Sequence, residues 1–550
     1  METNTRPIQK SLGAHGSIQG LAISAQSRDL CHYFGGIRYA LPPVQRWRRA
    51  RPLPPSFSYG TPQAPGQCDK GAGVCPQPGF LDLAPENPDV WDEDCFQTNV
   101  WVPTGQPPKG GWPVFVFIHG GWLQFGSPNG FNAGALLGET DFKAVVVMPA
   151  YRVNLFGFLY SSELAQDAAA VGETVGNHGF WDQRLALEWT KEYIHLFGGN
   201  PDKITISGYS AGANSVFHQL AYDLRQPDDQ IIVRQAIMFS NSPAVQPKSP
   251  VETQVQFNQL LAALSIPQTL SGPEKLARLR SLPPKTLLDA AKTIEVHQFR
   301  PTTDGGFVIP SLFSSLDSGE FAAKLVSRNI RLLLGECRDE SHLYATWFPP
   351  KGNTLSALRT RLIADYPEHI VDTVLPLHYP TGQLPPGCKD WTKDAWGQIY
   401  ADMQVYQMQR GLIHALTSNK AGVSAEHLLY RYRIEFRASC MDAKMPAEWG
   451  VTHSSDYPLW FWGNGDSLTE SEKKVTHEAF IGPLARFVQN TRDDGFGWET
   501  SGFGVRTMKA DGTVEITKDR LWDEGVRVWK AVRAADLTRE KLQLSPTSKL

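Results

Sequence analysis

The sequence predicts an α/β protein: a mostly parallel central sheet flanked by helices, entered through small N-terminal antiparallel strands and interrupted by helical insertions. Three observations lead there. From Trp112 onward short apolar runs alternate with helical stretches: Val114 to Ile118, Ala144 to Met148, a helical Asp182 to Phe197, then Ile204 to Ser207. Before that point the chain reads as short strands and Pro-rich turns, such as Leu41-Pro42-Pro43 and Ala50 to Pro55. After a long helix-rich stretch the strand pattern resumes at Ile330 to Leu334 and at Leu428 to Phe436.

Each element has its reason. Strands apolar on both faces belong to a sheet covered by helices on both sides, and helices between successive strands make the connections parallel. Prolines and glycines in the first hundred residues break the chain into the short strands of an antiparallel entry. The stretch Asp519 to Ala535 is amphipathic and predicts a closing helix. No linker, low-complexity run or internal repeat separates independent units. The expectation is one domain over 1–550, with strands and loops over about 1–110, helical insertions over about 215–325 and 345–425, and an exposed tail at 545–550.

Composition excludes several classes. In 550 residues, 53 Lys+Arg against 56 Asp+Glu leave a net charge of −3, which argues against nucleic-acid binding. The chain is 41% apolar, enough for a large core, yet no apolar run approaches the ~20 residues of a membrane helix. Seven cysteines, an odd number with no C-x-x-C pair, argue against structural zinc. No metal or cofactor is expected. The polar start, Met1 to Lys10, and the absence of any N-x-S/T sequon predict an intracellular, mostly reduced protein.

The chemistry centres on Gly208-Tyr209-Ser210-Ala211-Gly212, which follows the strand Ile204 to Ser207. A serine on a tight strand-to-helix turn needs small flanking residues, because its backbone is strained and neighbouring elements approach closely. Such a nucleophile also needs preorganised N–H donors for the developing oxyanion. His119-Gly120-Gly121-Trp122 ends the strand Val114 to Ile118, so the amides of Gly121, Trp122 and Ala211 are the candidates. An acid and a base should follow. Gly335 to Ser341 offers Glu336, Asp339 and Glu340 at a strand end, and nine histidines lie beyond Ser210, among which the residue pattern alone does not choose.

The chain resembles the type-B carboxylesterase and cholinesterase-like family of α/β-hydrolases along nearly its whole length. The resemblance is carried by Phe34 to Ala40, Glu93-Asp94-Cys95, Tyr151 to Leu159, Gly176 to Trp189 and Phe197 to Pro201, leading into the serine turn. It implies an α/β-hydrolase fold and a Ser-Glu-His triad: Ser210, Glu340 as the acid and His453, in Gly450 to Asp456, as the base. Glu336 and Asp339 then cap or solvate the loop. By the same resemblance Cys75 pairs with Cys95, with Cys68 as a rival partner, and Arg46 forms an ion pair with Glu93. The chain departs from the family at Tyr209, where glutamate is frequent, at Trp122, where a third glycine is usual, at Phe239 to Ser242, and near Gly482.

Two further signals are weighed. Gly465-Asp466-Ser467-Leu468 spells the label of another serine-hydrolase class, but Ser467 with Glu470 forms a capping box and predicts a helix from Leu468 to Ala479. Aromatic residues beside the site, Trp347-Phe348 and Tyr457 with Trp460 to Trp462, either line a gorge for an apolar or aromatic substrate or belong to the core.

The expected function is a serine carboxylic-ester hydrolase acting through an acyl-enzyme. Acyl transfer or thioester hydrolysis by the same intermediate is the alternative, and an inactive binding module the remaining one. The carboxyl-terminal Ser548-Lys549-Leu550 is the S-K-L signal read by the peroxisomal import receptor, which makes that receptor the expected protein partner and the peroxisome the expected address.

Overall fold

The doubly apolar runs are accounted for by a sheet of thirteen strands among the described residues, which in this computed structural model are 3–81, 84–241, 243–489, 498 and 503–544. Its principal strands are β1 (Asn4–Ser11), β2 (Ser17–Ala25), β3 (Arg28–Arg38), β4 (Gln97–Pro103), β5 (Trp112–Ile118) and β6 (Val145–Pro149). These are followed by β7 (Gly199–Tyr209), β8 (Gln235–Phe239), β9 (Arg331–Cys337), β10 (Leu429–Ile434), β11 (Gly504–Met508) and β12 (Val514–Lys518). The order across the sheet is β1-β2-β3-β4-β6-β5-β7-β8-β9-β10-β11-β12, with Gly66–Gln67 also pairing with β2. From β1 through β4 to β6 the pairing is antiparallel. From β6 to β11 it is parallel throughout.

The strands expected from apolar runs are all present: those at Val114 and Ile204 are longer, those at Ala144 and Ile330 begin one residue later and run further, and the one at Leu428 is shorter, Leu429–Ile434. Two elements were not legible. β8 is five residues, Gln235 to Phe239, of which only Ala236 to Phe239 are apolar, too short a run to be told from a turn of buried helix. The β11–β12 hairpin is half exposed, and Gly512 at φ 84° makes its turn.

Helix α1 (His178–Tyr193) begins four residues before the expected Asp182. Two of its charges point inward rather than to solvent: Asp182 holds Arg152 at 2.7 Å and Arg184 holds Asp223 at 2.6 Å. Sequence periodicity reads such charges as an exposed face. Gly179 is needed there, since a Cβ would lie 2.4 Å from the Arg152 carbonyl. Helix α2 (Ala211–Asp223) follows β7 directly. Between β8 and β9, and between β9 and β10, the chain is mostly helical, the second stretch ending in α3 (Gln407–Thr417). The closing helix α4 (Trp522–Leu544) packs along α3 and starts three residues later than expected, because Asp519 is used elsewhere.

Asp519 belongs to a buried charge network. Arg410 of α3 donates to Glu336 at the end of β9, at 2.7 and 3.0 Å, and to Asp519 at 2.9 and 3.0 Å. Arg431 and Arg433 of β10 close it, each 2.5 Å from its carboxylate, Asp519 and Glu336 respectively. Burial alone would raise the Glu336 carboxyl, but the guanidiniums of Arg410 and Arg433 outweigh it and hold the group below its ordinary range. Glu336 is therefore a structural anchor and not the loop-capping group expected.

Several smaller expectations resolve in the same region of detail. Arg46 grips Glu93 at 2.5 and 2.8 Å and also donates to the carbonyls of Leu279 and Leu282. All seven cysteines are free thiols, so the Cys75–Cys95 bridge that the resemblance implies is not formed. The helix near Ser467 is Glu470–Thr476, capped by Thr469 and Glu472 instead of Ser467 and Glu470. Glu472 wins because its carboxylate also accepts from the Ser439 amide at 2.6 Å. No helix among the described residues is long and apolar enough to cross a membrane.

The network generates a prediction. Arg410→Met leaves two buried carboxylates short of a partner and should lower stability by about 3–5 kcal/mol. Urea unfolding with a midpoint within error of the wild type would show that the network is dispensable.

Candidate active site

The serine turn is shaped by three backbones in direct contact. Ser210 sits between the end of β7 and the start of α2 at φ 56° and ψ −124°, a left-handed conformation costly for any side chain. Its amide donates to the Phe239 carbonyl of β8 at 2.9 Å, which ties the turn to the sheet. A Cβ on Gly208 would lie 2.3 Å from the Gly212 carbonyl, and one on Gly212 would lie 2.0 Å from the Ile118 carbonyl of β5. The two glycines of the G-x-S-x-G pattern are thus required by close approach.

The chain after β5 curls around this turn. Gly121, Trp122 and Leu123 follow one another at φ 106°, 55° and 62°, and a Cβ on Gly120 would meet the Tyr209 carbonyl at 2.7 Å. The Gly121 and Trp122 amides make no hydrogen bond among the described residues, and the Ala211 amide, first in its helix, has no intrahelical acceptor. Trp122 tolerates the left-handed backbone because both ends are held. Its carbonyl accepts from Arg300 at 2.5 Å, and its indole stacks on Trp347 with centroids 4.5 Å apart. His119 lines up behind, stacked on Tyr151, and burial pushes its imidazole down to about 4, so it is neutral.

Glu340 and His453 meet across two loops. His453 Nδ1 donates to Glu340 Oε2 at 2.5 Å, and both side chains are buried. Glu340 Oε1 accepts from the Cys337 amide at 2.8 Å, and the Glu340 amide donates to the Tyr406 hydroxyl at 2.9 Å. Asp339 does not solvate the loop: it accepts from the Val451 amide at 2.9 Å while its own amide donates to the Val451 carbonyl, joining the glutamate loop to the histidine loop. Ser210, His453, Gly121 and Trp122 line one cavity of about 360 Å³, whose apolar walls include Phe80, Phe125, Met441 and Met445.

Of the aromatic residues weighed from the sequence, Tyr457 lines this cavity. Trp460 and Phe461 are core, packed against Phe239 and Phe117, and Trp347 backs the Trp122 indole. Phe348 faces a separate cavity with His297. A narrow second cavity of about 50 Å³ touches Ala211 and Asn214 from the other side, with Lys248 and Arg300 in its wall.

Sequence reasoning missed what holds the histidine loop. Tyr209 donates to Asp456 Oδ1 at 2.5 Å and accepts from the Ser454 amide at 2.9 Å, while its ring lies 5.2 Å from His453. Trp460 Nε1 donates to the second Asp456 oxygen at 3.0 Å. The signal was present as the departure at Tyr209: a phenol reaches an acid that a carboxylate there would repel.

Comparison with known proteins gives a consistent result. A family profile described as the carboxylesterase family matches residues 6–520. A Gibberella moniliformis protein named carboxylic ester hydrolase is 42% identical over 532 residues, covering 95% of each chain. A Schizosaccharomyces pombe protein described as an esterase/lipase is 36% identical over 541 residues, covering 96% of this chain and 97% of that one. In structure, Aspergillus niger EstA superposes with a TM-score of 0.72 at 22% identity, over 96% of this chain and 98% of that one, and shows the fold to be that of the α/β-hydrolases.

Burial raises the Asp456 carboxyl to about 6 against the bond from Tyr209. The folded pKa exceeds the unfolded one, so the protonated acid's stabilisation is full near pH 4 and is lost as pH rises through 6. Asp456→Asn should therefore be most destabilising near pH 4.5, with the gap to wild type narrowing by on the order of 2–3 kcal/mol by pH 7.5. Thermal melts showing a constant gap would place the ionisation elsewhere.

Proposed function

The chain belongs to the carboxylesterase family, and we propose that Ser210, Glu340 and His453 are the nucleophile, orienting acid and base with which it hydrolyses carboxylic esters. The observation that carries this is the 2.5 Å bond between His453 Nδ1 and Glu340, beside a serine whose cavity also holds amides without acceptors. A carboxylate on Nδ1 fixes the tautomer that leaves Nε2 free to accept a proton.

The reaction follows. The Ser210 hydroxyl attacks the ester carbonyl as His453 Nε2 takes its proton, and the carbonyl oxygen gains charge among the amides of Gly121, Trp122 and Ala211. The buried Glu340 stabilises the imidazolium. Collapse expels the alcohol, which takes the proton from Nε2, and leaves an acyl group on Ser210. Water then enters by the same route and attacks the acyl carbon as His453 Nε2 takes its proton; the bond to Ser210 Oγ breaks, Nε2 returns that proton to Ser210, and the acid is released.

The substrate is an ester with an apolar part, since Phe80, Trp122, Phe125, Met441 and Met445 wall the large cavity while the second is too narrow for more than a few atoms. The address is the peroxisome. Ser548, Lys549 and Leu550 lie outside the described residues, and the reading rests on the S-K-L sequence that the import receptor reads.

Ser210→Ala should abolish acyl-enzyme formation, and His453→Ala should lower kcat on a p-nitrophenyl ester by several orders of magnitude, with Glu340→Gln costing less. Near wild-type turnover by His453→Ala would overturn these roles. For the address, a fluorescent protein fused to the amino terminus should concentrate in peroxisomes and become diffuse when 548–550 are removed. Diffuse signal from the full-length fusion would rule the address out.

A further inference from the structure

The short helical turn Ser341–Tyr344 that follows Glu340 carries a phenol into the reacting centre. The Tyr344 ring lies 4.5 Å from the His453 ring, and its hydroxyl is 3.5 Å from His453 Nε2, at the outer limit of a hydrogen bond. The Ser210 side chain is a second polar neighbour of the hydroxyl. Tyr344 is 1% exposed, and its ring is fixed edge-to-face against Trp122 and Tyr400. A buried phenol normally finds a permanent partner. Here both neighbours are groups that change protonation during the reaction.

We propose that the Tyr344 hydroxyl is a further catalytic residue, which donates a hydrogen bond to the oxygen that departs with the alcohol and is replaced by the entering water. The proposal rests on the roles given above to Ser210 and His453. Any oxygen that exchanges a proton with Nε2 must stand about 3 Å from it and close to the acyl carbon on Ser210, which is the space the phenol borders. In the step itself the bond from acyl carbon to leaving oxygen breaks and the carbonyl re-forms. The proton passed to the alkoxide comes from Nε2, which took it from Ser210. Tyr344 keeps its own proton and lowers the charge that the departing oxygen bears before the transfer is complete. Burial raises the phenol's pKa far above its ordinary value, which keeps it a donor across the working range of the enzyme.

The test is leaving-group dependence. kcat/KM, which reports acylation, is measured for p-nitrophenyl, phenyl and ethyl butyrate and for S-ethyl thiobutyrate with wild type and Tyr344→Phe. The expected loss is smallest for p-nitrophenyl butyrate, whose anion needs little help, and about 10- to 100-fold larger for ethyl butyrate. The thioester, whose sulfur accepts hydrogen bonds poorly, should lose less than the ethyl ester. A loss of equal size on all four substrates, as a merely structural role would give, or no loss at all, overturns the proposal. Ratios between substrates are taken within one preparation, so a reduced active fraction cancels, and Tyr344→Leu supplies the same slope should the phenylalanine variant not fold. Ester turnover by Ser210→Ala would instead overturn the underlying assignment, so the two failures are distinguishable.

Discussion

Three backbones touch without side chains between them at the end of β7, and the site is organised by that contact. The carbonyl of Ile118 occupies the place a Gly212 Cβ would take, and the Gly212 carbonyl that of a Gly208 Cβ. Only glycine satisfies both, so the serine between them is forced onto a left-handed turn at the carboxyl edge of the sheet. The same proximity sets the Gly121 and Trp122 amides, at the end of neighbouring β5, beside the Ala211 amide at the start of α2. The serine and amides proposed as nucleophile and anion-binding donors are positioned together because two adjacent parallel strands end together.

The rest of the molecule supplies a rigid frame for charge. Glu336 and Glu340 are four residues apart and both buried, yet they have different partners. Two guanidiniums hold Glu336, which anchors β9 to β10 and α3. Glu340 receives one backbone amide and one imidazole, and no cation among the described residues reaches it. A carboxylate already paired with arginine has little field left for an imidazolium, whereas one held by neutral donors retains it. The difference in partners separates an anchoring acid from one suited to catalysis.

Much of this was legible in the sequence. Apolar runs announced β5, β6, β7, β9 and β10, because strands buried on both faces leave no polar alternation. The glycines around Ser210 announced the turn. Choosing Glu340 and His453 needed the family resemblance, since three acids and nine histidines carry no local mark of a contact made across 113 positions of chain. β8 offers only four consecutive apolar residues, too few to tell a strand from a turn of buried helix. The start of α1 was misplaced because its buried ion pairs imitate an exposed face. Tyr209, Tyr344 and Tyr406 place their hydroxyls on partners distant in sequence, and although the departure at Tyr209 marks an unusual residue, no neighbouring residue names any of these partners.

The most direct test of the account is the covalent intermediate itself. Mixing the protein with p-nitrophenyl acetate, quenching in acid within the first turnover and mapping the modified peptide by mass spectrometry should find one acetyl group, carried by Ser210. An acetyl group on any other residue, or none while p-nitrophenol is released, would contradict it.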